Sequence, residues 1–188
     1  MSQNDKAKGR LLVVSGYSGV GKGTIMKRLR ELDDSVRLSV SCTTRNPREG
    51  ERDGVEYFFV TKDEFQKLIS EDGFLEYAEY CDNYYGTPAK AVDEMLEKGY
   101  NVFLEIEVQG GMQVMKKRPD CVSIFIVPPS MEELERRLRT RGTEDEETIL
   151  KRLSAVEEEK KYNKYYSYSV LNDDVDRAAK EILSILNK

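Results

Sequence analysis

Gly16-Tyr17-Ser18-Gly19-Val20-Gly21-Lys22-Gly23-Thr24 follows the apolar run Leu11-Leu12-Val13-Val14 and precedes a helical stretch from Thr24 to Leu32. A short buried strand, a glycine-rich turn and a helix start are the architecture of a phosphate-binding P-loop. The glycines let backbone N–H groups converge on one anion, because side chains there would block its approach. The helix N-terminus adds free N–H donors and the positive end of its dipole. Lys22 brings a full charge for the β- and γ-phosphates of a nucleoside triphosphate. In most such loops a hydroxyl residue follows the lysine and touches Mg²⁺; here Gly23 follows, and Thr24 carries the hydroxyl one place later. Mg²⁺ is therefore expected to be held mainly by phosphates and water.

Working outward, 188 residues allow one domain with a full core and small inserted pieces. Charged residues make up 35% and the net charge is −5, which argues against a nucleic-acid or acidic-membrane binder. No apolar run approaches the roughly 20 residues needed to span a bilayer. Met1 to Arg10 is polar, without the apolar segment of a signal peptide. Cys42, Cys81 and Cys121 have neither metal-type nor redox-type spacing. A cytoplasmic, reduced setting is expected.

Val36 to Ser41 and Val55 to Val60 read as short strands, with a Pro- and Gly-containing loop from Cys42 to Gly50 between them. Thr61 and Glu64 form a capping box for a helix to about Ser70. Phe74 to Tyr80 reads as a strand, followed by an aromatic turn at Asn83-Tyr84-Tyr85-Gly86. Thr87 is expected to cap a helix that has Pro88 in its first turn. Val102 to Ile106 and Cys121 to Val127 have the continuous apolar character of central parallel strands. Ser130 with Glu133 caps a helix to about Thr140, a long charged helix resumes after Arg141-Gly142-Thr143, and Ser167 to Leu171 and Val175 to Leu186 close the chain as strand and helix. Strands alternate with helices at both ends but not between residues 42 and 86. That predicts a parallel α/β core with an inserted lobe.

Three features narrow the chemistry. Arg45 and Arg48 flank Pro47 and can form a rigid fork for phosphate, with Tyr57 and Tyr85 adding hydroxyls. Arg141 and Arg152 suit a mobile lid that delivers guanidinium groups to a transferring phosphoryl group, whereas Arg136 and Arg139 read as a helix face balancing Glu132, Glu133 and Glu135. Glu76, Glu105 and Glu107 stand beside apolar residues, where a carboxylate needs a partner. A guanine edge would suit them, with Ser41 or Thr87 donating to its O6, but from the residues alone guanine is one option among bases. The chain has no histidine, so a Ser-His nucleophile is excluded. Phosphoryl transfer to a second phosphate needs no such base. A phosphate monoester has a second pKa of about 6 and is already charged at neutral pH. The reaction instead needs cations to relieve repulsion between two polyanions.

These landmarks closely resemble the guanylate kinase family. The resemblance is carried by residues Ser15 to Thr24, Ser39-Val40-Ser41-Cys42-Thr43-Thr44-Arg45-Asn46-Pro47-Arg48-Glu49-Gly50-Glu51, Asn83 to Thr87, Glu105-Ile106-Glu107-Val108-Gln109-Gly110, Pro128-Pro129-Ser130, Arg141 to Glu144, and Asn172-Asp173-Asp174. Tyr17 stands where the family usually has proline. The resemblance implies a P-loop nucleoside monophosphate kinase that transfers the γ-phosphoryl group of ATP to GMP and to dGMP, with Mg²⁺, in purine nucleotide recycling. It implies a core of residues 9–41, 88–134 and 163–188, a GMP-binding lobe of 42–87 and a lid of 135–162. Gly16 to Thr24 and Asn172 would bind ATP. Ser41, Glu76, Thr87 and Glu107 would read guanine, and Arg45, Arg48, Tyr57 and Tyr85 would hold the GMP phosphate. Lys22, Arg45, Arg141 and Arg152 would serve catalysis, and Glu105 would steady Mg²⁺ through water. Two alternatives stay open at this point: a non-catalytic scaffold module of similar fold, and a kinase for AMP or a pyrimidine monophosphate. Oligomeric state is left open.

Overall fold

The computed structural model describes residues 8–140 and 145–187. The chain runs β1 (Leu11–Gly16), α1 (Lys22–Leu32), β2 (Val36–Leu38), β3 (Cys42–Thr43), β4 (Phe58–Phe59), α2 (Lys62–Ser70), β5 (Phe74–Tyr80) and β6 (Asn83–Pro88). It continues with α3 (Ala89–Glu97), β7 (Asn101–Glu105), α4 (Val108–Lys117), β8 (Val122–Val127), α5 (Met131–Thr140), α6 (Glu146–Lys160), β9 (Tyr168–Leu171) and α7 (Val175–Leu186).

The apolar strands at the two ends of the chain make one parallel sheet, in the order β2-β7-β1-β8-β9. β1 lies at its centre, and Leu12, Val13 and Val14 are fully buried between helices on both faces. Such burial explains why this strand and Phe103, Leu104, Ile124, Phe125 and Ile126 show no polar alternation. α1 presents Ile25, Met26 and Leu29, and α7 presents Ala178, Ala179 and Ile182, to the same core. The registers Val14 opposite Glu105 and Gly16 opposite Ile126 bring the P-loop and the end of β7 to one edge. In open α/β sheets that carboxyl-terminal edge is where ligands bind.

Residues 42–88 form a second, four-stranded sheet, β4-β3-β6-β5, in which only β3 and β4 run parallel. Its own small core is Cys42, Phe65 and Phe74, with Phe58, Val60, Leu68, Ile69 and Tyr84 against it. Phe65 stacks on Phe74 at 4.3 Å and on Tyr84 at 5.4 Å. The capping box at Thr61 and Glu64 forms as read, and it starts the helix that supplies Phe65. With so few apolar groups, the loss of one is felt. Phe65→Ala is expected to cost about 3–5 kcal/mol, because the sheet on one side limits collapse of the cavity. Chemical denaturation should show a lower midpoint, with this lobe losing amide protection before the parallel sheet does.

Four local expectations are corrected. Asn83 to Gly86 is strand β6, and the turn lies at Cys81 and Asp82, whose φ angles of 49° and 61° make a tight two-residue hairpin. Cys-Asp carries no glycine, so composition pointed to the wrong pair. Thr87 does not cap α3: Pro88 occupies the N-cap position, and the Thr87 hydroxyl donates to Glu76. Cys42 and Thr43 pair with β6 rather than lying in a loop. β2 ends at Leu38 and β4 spans only Phe58–Phe59, because neither segment has a partner over its full predicted length. Elsewhere the predicted elements recur, including the Ser130 cap of α5 and a 12-residue α7.

Candidate active site

Glycine at position 16 is required by its surroundings. Its φ is +152°, and a Cβ would stand 2.4 Å from the Ile126 carbonyl oxygen. Gly21, at φ +99°, is the N-cap of α1, so the first helical N–H groups open toward the loop. The Val20 N–H closes a turn onto the Tyr17 carbonyl at 3.0 Å. Tyr17 itself is buried edge-on against Phe125, which accounts for an aromatic residue at this place in the loop. The Lys22 ammonium donates to the Gly16 carbonyl at 2.8 Å and the Tyr17 carbonyl at 3.4 Å, so it sits over the loop. Gly23 packs near Glu105: a Cβ there would lie 3.6 Å from Glu105 Oε1.

Two clefts open on either side of this loop. One, of about 580 Å³, is lined by Lys22, Ser41, Tyr57, Glu76, Tyr85, Glu105 and Glu107 together. Seven residues predicted from distant parts of the chain therefore converge. Glu76 lies at its wall, on β5 directly opposite Thr87 of β6. The Thr87 hydroxyl donates to Glu76 Oε1 at 2.5 Å. Thr87 thus stands behind Glu76. Gly110 of α4 seats the other oxygen, since a Cβ there would come 2.8 Å from Glu76 Oε2. Burial pushes the Glu76 carboxyl above its ordinary value, and the bonds from Thr87 pull partly back. Glu105 is also raised by burial, with Lys22 opposing the rise and Glu107 adding to it.

Arg45 and Arg48 are not among the residues that line this cleft; Arg45 lies beside its Tyr57. The Arg45 guanidinium donates to both oxygens of Glu51, at 2.9 and 3.0 Å, and to the Asn46 carbonyl. It lies 5.6 Å from the Tyr57 ring centroid, and the Glu51 carboxylate, with a smaller contribution from Tyr85, holds its pKa above the ordinary value. The Arg48 backbone N–H donates to the same Glu51 carboxylate at 2.7 Å. Glu51 was given no role from the sequence, yet it orients both arginine positions. Its spacing, six and three residues after them, was the available signal.

The second cleft, of about 500 Å³, is lined by Gly19, Gly21, Thr24, Arg137, Asn172 and Asp173 among others. Asn172 is buried and donates to the Val20 carbonyl at 2.7 Å. Arg137 was missed within its arginine-rich run. It donates to Glu133 at 2.7 Å and to Val20 O at 3.3 Å, so it faces the P-loop. Its neighbours Arg136 and Arg139 pair with Glu133 and Glu135, as the helix-face reading expected, and Arg139 also with Glu146 of α6, which that reading did not include. Arg152 lies on α6; the Tyr80 phenol on β5 is held above its ordinary pKa, chiefly by Cys81, with the Arg152 charge opposing the rise. Arg141 lies outside the described residues. Among the described residues no cluster of three or more metal-binding side chains exists.

This arrangement can hold two polyanions, one on the P-loop and one beside Arg45 and Tyr57, with a base against Glu76. Comparisons with known proteins show the family to which the chain belongs. A family model described as guanylate kinase matches residues 8–188. A curated guanylate kinase of Caldanaerobacter subterraneus subsp. tengcongensis is 52% identical over 96% of this chain and 88% of its own length. One from Clostridioides difficile is 54% identical over 96% of this chain and 88% of its own length. The crystal structure of guanylate kinase from Anaplasma phagocytophilum superposes with a TM-score of 0.73 at 37% identity, over 97% of this chain and 86% of that one.

Proposed function

Because this chain belongs to the guanylate kinase family and phosphorylates GMP with ATP, we propose that its two clefts divide the reaction between donor and acceptor. The observation that carries the division is Glu76, held from behind by Thr87, in the wall of the cleft that also contains Lys22. The Glu76 carboxylate accepts from guanine N–H groups, with Glu107 beside it, while Ser41 supplies a hydroxyl and Thr87, its own hydroxyl proton given to Glu76, holds that carboxylate from behind. Adenine presents its donors and acceptors in a different order and would leave buried polar groups unpaired, which rejects it strongly. Arg45, Arg48, Tyr57 and Tyr85 hold the GMP phosphate, and Glu51 keeps the two arginines in register. Gly16 to Thr24 bind the ATP phosphates, and Asn172 and Arg137 flank its base.

The acceptor phosphate is already charged, so no proton need be removed by the protein. What the chain contributes is alignment and cancellation of charge. Lys22 lines the acceptor cleft, next in the chain to the Gly21 that lines the other, and Arg45, Arg141 and Arg152 complete a cationic surround as lobe (42–87) and lid (135–162) approach the core (9–41, 88–134 and 163–188) and exclude water. The donor set fits Mg²⁺: Glu105 beside Gly23, and Thr24 nearby, offer hard oxygens to an ion that keeps most of its ligands as water and phosphate. When bound, Mg²⁺ neutralises charge on the bridging phosphates.

None of these residues is assigned to the ribose, so dGMP is expected to serve as well as GMP. The work falls in purine nucleotide recycling and, with two nucleotide substrates and free Cys42, Cys81 and Cys121, in the cytoplasm. No helix among the described residues is long and apolar enough to cross a membrane. Release of ADP from ATP and Mg²⁺ is measured with GMP, dGMP, AMP, UMP and CMP in turn. Turnover is expected with the two guanine nucleotides and at least about a thousandfold less with the others. Comparable turnover with AMP would refute the base-reading roles, and none with dGMP would refute the unassigned ribose.

A further inference from the structure

Glu159 belongs to the C-terminal half of α6 and is only 6% exposed. Its Oε2 accepts a hydrogen bond from the backbone N–H of Ser18, in the P-loop, at 3.1 Å. None of the roles assigned above uses it. Burial raises its carboxyl pKa, the Glu107 charge raises it further, and the Ser18 N–H and Lys22 oppose the rise. A buried carboxylate is costly unless it is bonded. Here the bond is to a main-chain amide, which cannot shift without carrying the loop along. Arg152 stands seven residues earlier on the same helix. Seven residues are close to two turns and about 10 Å of rise, so both side chains leave the same face.

We infer that Glu159 is a positioning residue that pins α6 to the P-loop, and so sets the height of Arg152 over the ATP phosphates. The bond joins a helix of the lid to the anion site 141 residues away in the chain. It holds the first turn of the loop, where Val20 N–H bonds Tyr17 O, and leaves the later amides for phosphate. The inference rests on the P-loop being the ATP site.

The test uses the full chain, with parent turnover of ATP and GMP measured first. Glu159→Ala should raise half-saturating ATP about tenfold or more, the effect of one lost bond to a charged group, with kcat lowered and half-saturating GMP within about twofold. Glu159→Gln keeps an acceptor oxygen and should return the ATP values to within about threefold of the parent. Amide exchange at Ser18 should quicken in Glu159→Ala and stay slow in Glu159→Gln. Glu159→Ala and Arg152→Ala should combine less than additively. Should Glu159→Ala not fold, Glu159→Asp, one methylene short of Ser18, is read the same way. Unchanged ATP parameters, an equal rise for both substrates, or a Glu159→Gln enzyme as impaired as Glu159→Ala would each overturn the inference. Failure of the ATP site itself would show separately, as ATP-independent behaviour of the parent with Ser18 protection still lost in Glu159→Ala.

Discussion

Lys22→Ala lowers kcat by about a thousandfold, roughly 4 kcal/mol of transition-state stabilisation, while half-saturating GMP moves less than about threefold. The expectation follows from where the ammonium sits. Lys22 is the first residue of α1, and its Nζ lies against the Gly16 and Tyr17 carbonyls while it also lines the cleft of Glu76 and Glu105. Its neighbour Gly21 lines the other cleft, so on the proposed division of the clefts its charge stands where the phosphoryl group would pass. An interaction that strengthens only in the transition state appears in kcat, not in ground-state binding. Lys22→Arg should not restore turnover, because a planar fork cannot occupy a site shaped for a compact ammonium. Steady-state kinetics with both substrates decides. A preserved kcat with a large rise in half-saturating ATP would mean that the lysine supplies only uniform binding. Melting curves should match the parent, since the side chain is not part of the core.

Glu76→Gln raises half-saturating GMP by about a hundredfold and changes half-saturating ATP little. Two hydrogen bonds to a charged acceptor are replaced by an amide that can turn a donor toward a donor, a loss of about 3 kcal/mol. pH separates this role from a structural one. The folded-state pKa of Glu76 is raised, chiefly by burial. The folded protein therefore holds that proton more tightly than the unfolded chain, and this group's contribution to stability declines as pH rises through the folded value. GMP binding runs the other way, because the guanine N–H donors need the ionised carboxylate. Affinity for GMP should fall as pH drops through the raised pKa, beginning above the ordinary 4.5 of a glutamate. In Glu76→Gln that step should vanish, leaving only the ionisation of the GMP phosphate near 6. Calorimetric titration of GMP across that range is the measurement. Persistence of the step would remove Glu76 from the base-reading group.

Legibility differed by the range of the interactions concerned. β1, the P-loop, α1 and α7 were readable because each is set by neighbours within about ten residues: apolar runs, glycines and caps. The capping box at Thr61 and the Ser130 cap formed for the same reason. β6 was misread because Asn83 and Gly86 resemble turn residues, while its strand character comes from β3 and β5 on either side. Thr87 was misread as a cap because the competing partner, Glu76, is met only across the sheet. Most predicted acceptor-site residues do converge on one cleft. Glu51, Arg137 and Glu159 were overlooked because in sequence each is one more charge in a chain that is 35% charged. Their partners are a guanidinium, a loop carbonyl and a loop amide.

The amino-acid sequence alone determined the anion site, the parallel core and the residue types that meet a nucleotide, because glycine placement, apolar runs and charge spacing act locally. Tertiary structure alone decided which carboxylates are buried and what holds them. Those pairings join residues as far apart as Ser18 and Glu159, and only the fold, which sets Glu159 of α6 beside the P-loop, brings them within bonding distance. A carboxylate's function depends on how much water it keeps and which donor replaces the rest, and both are properties of the closed fold.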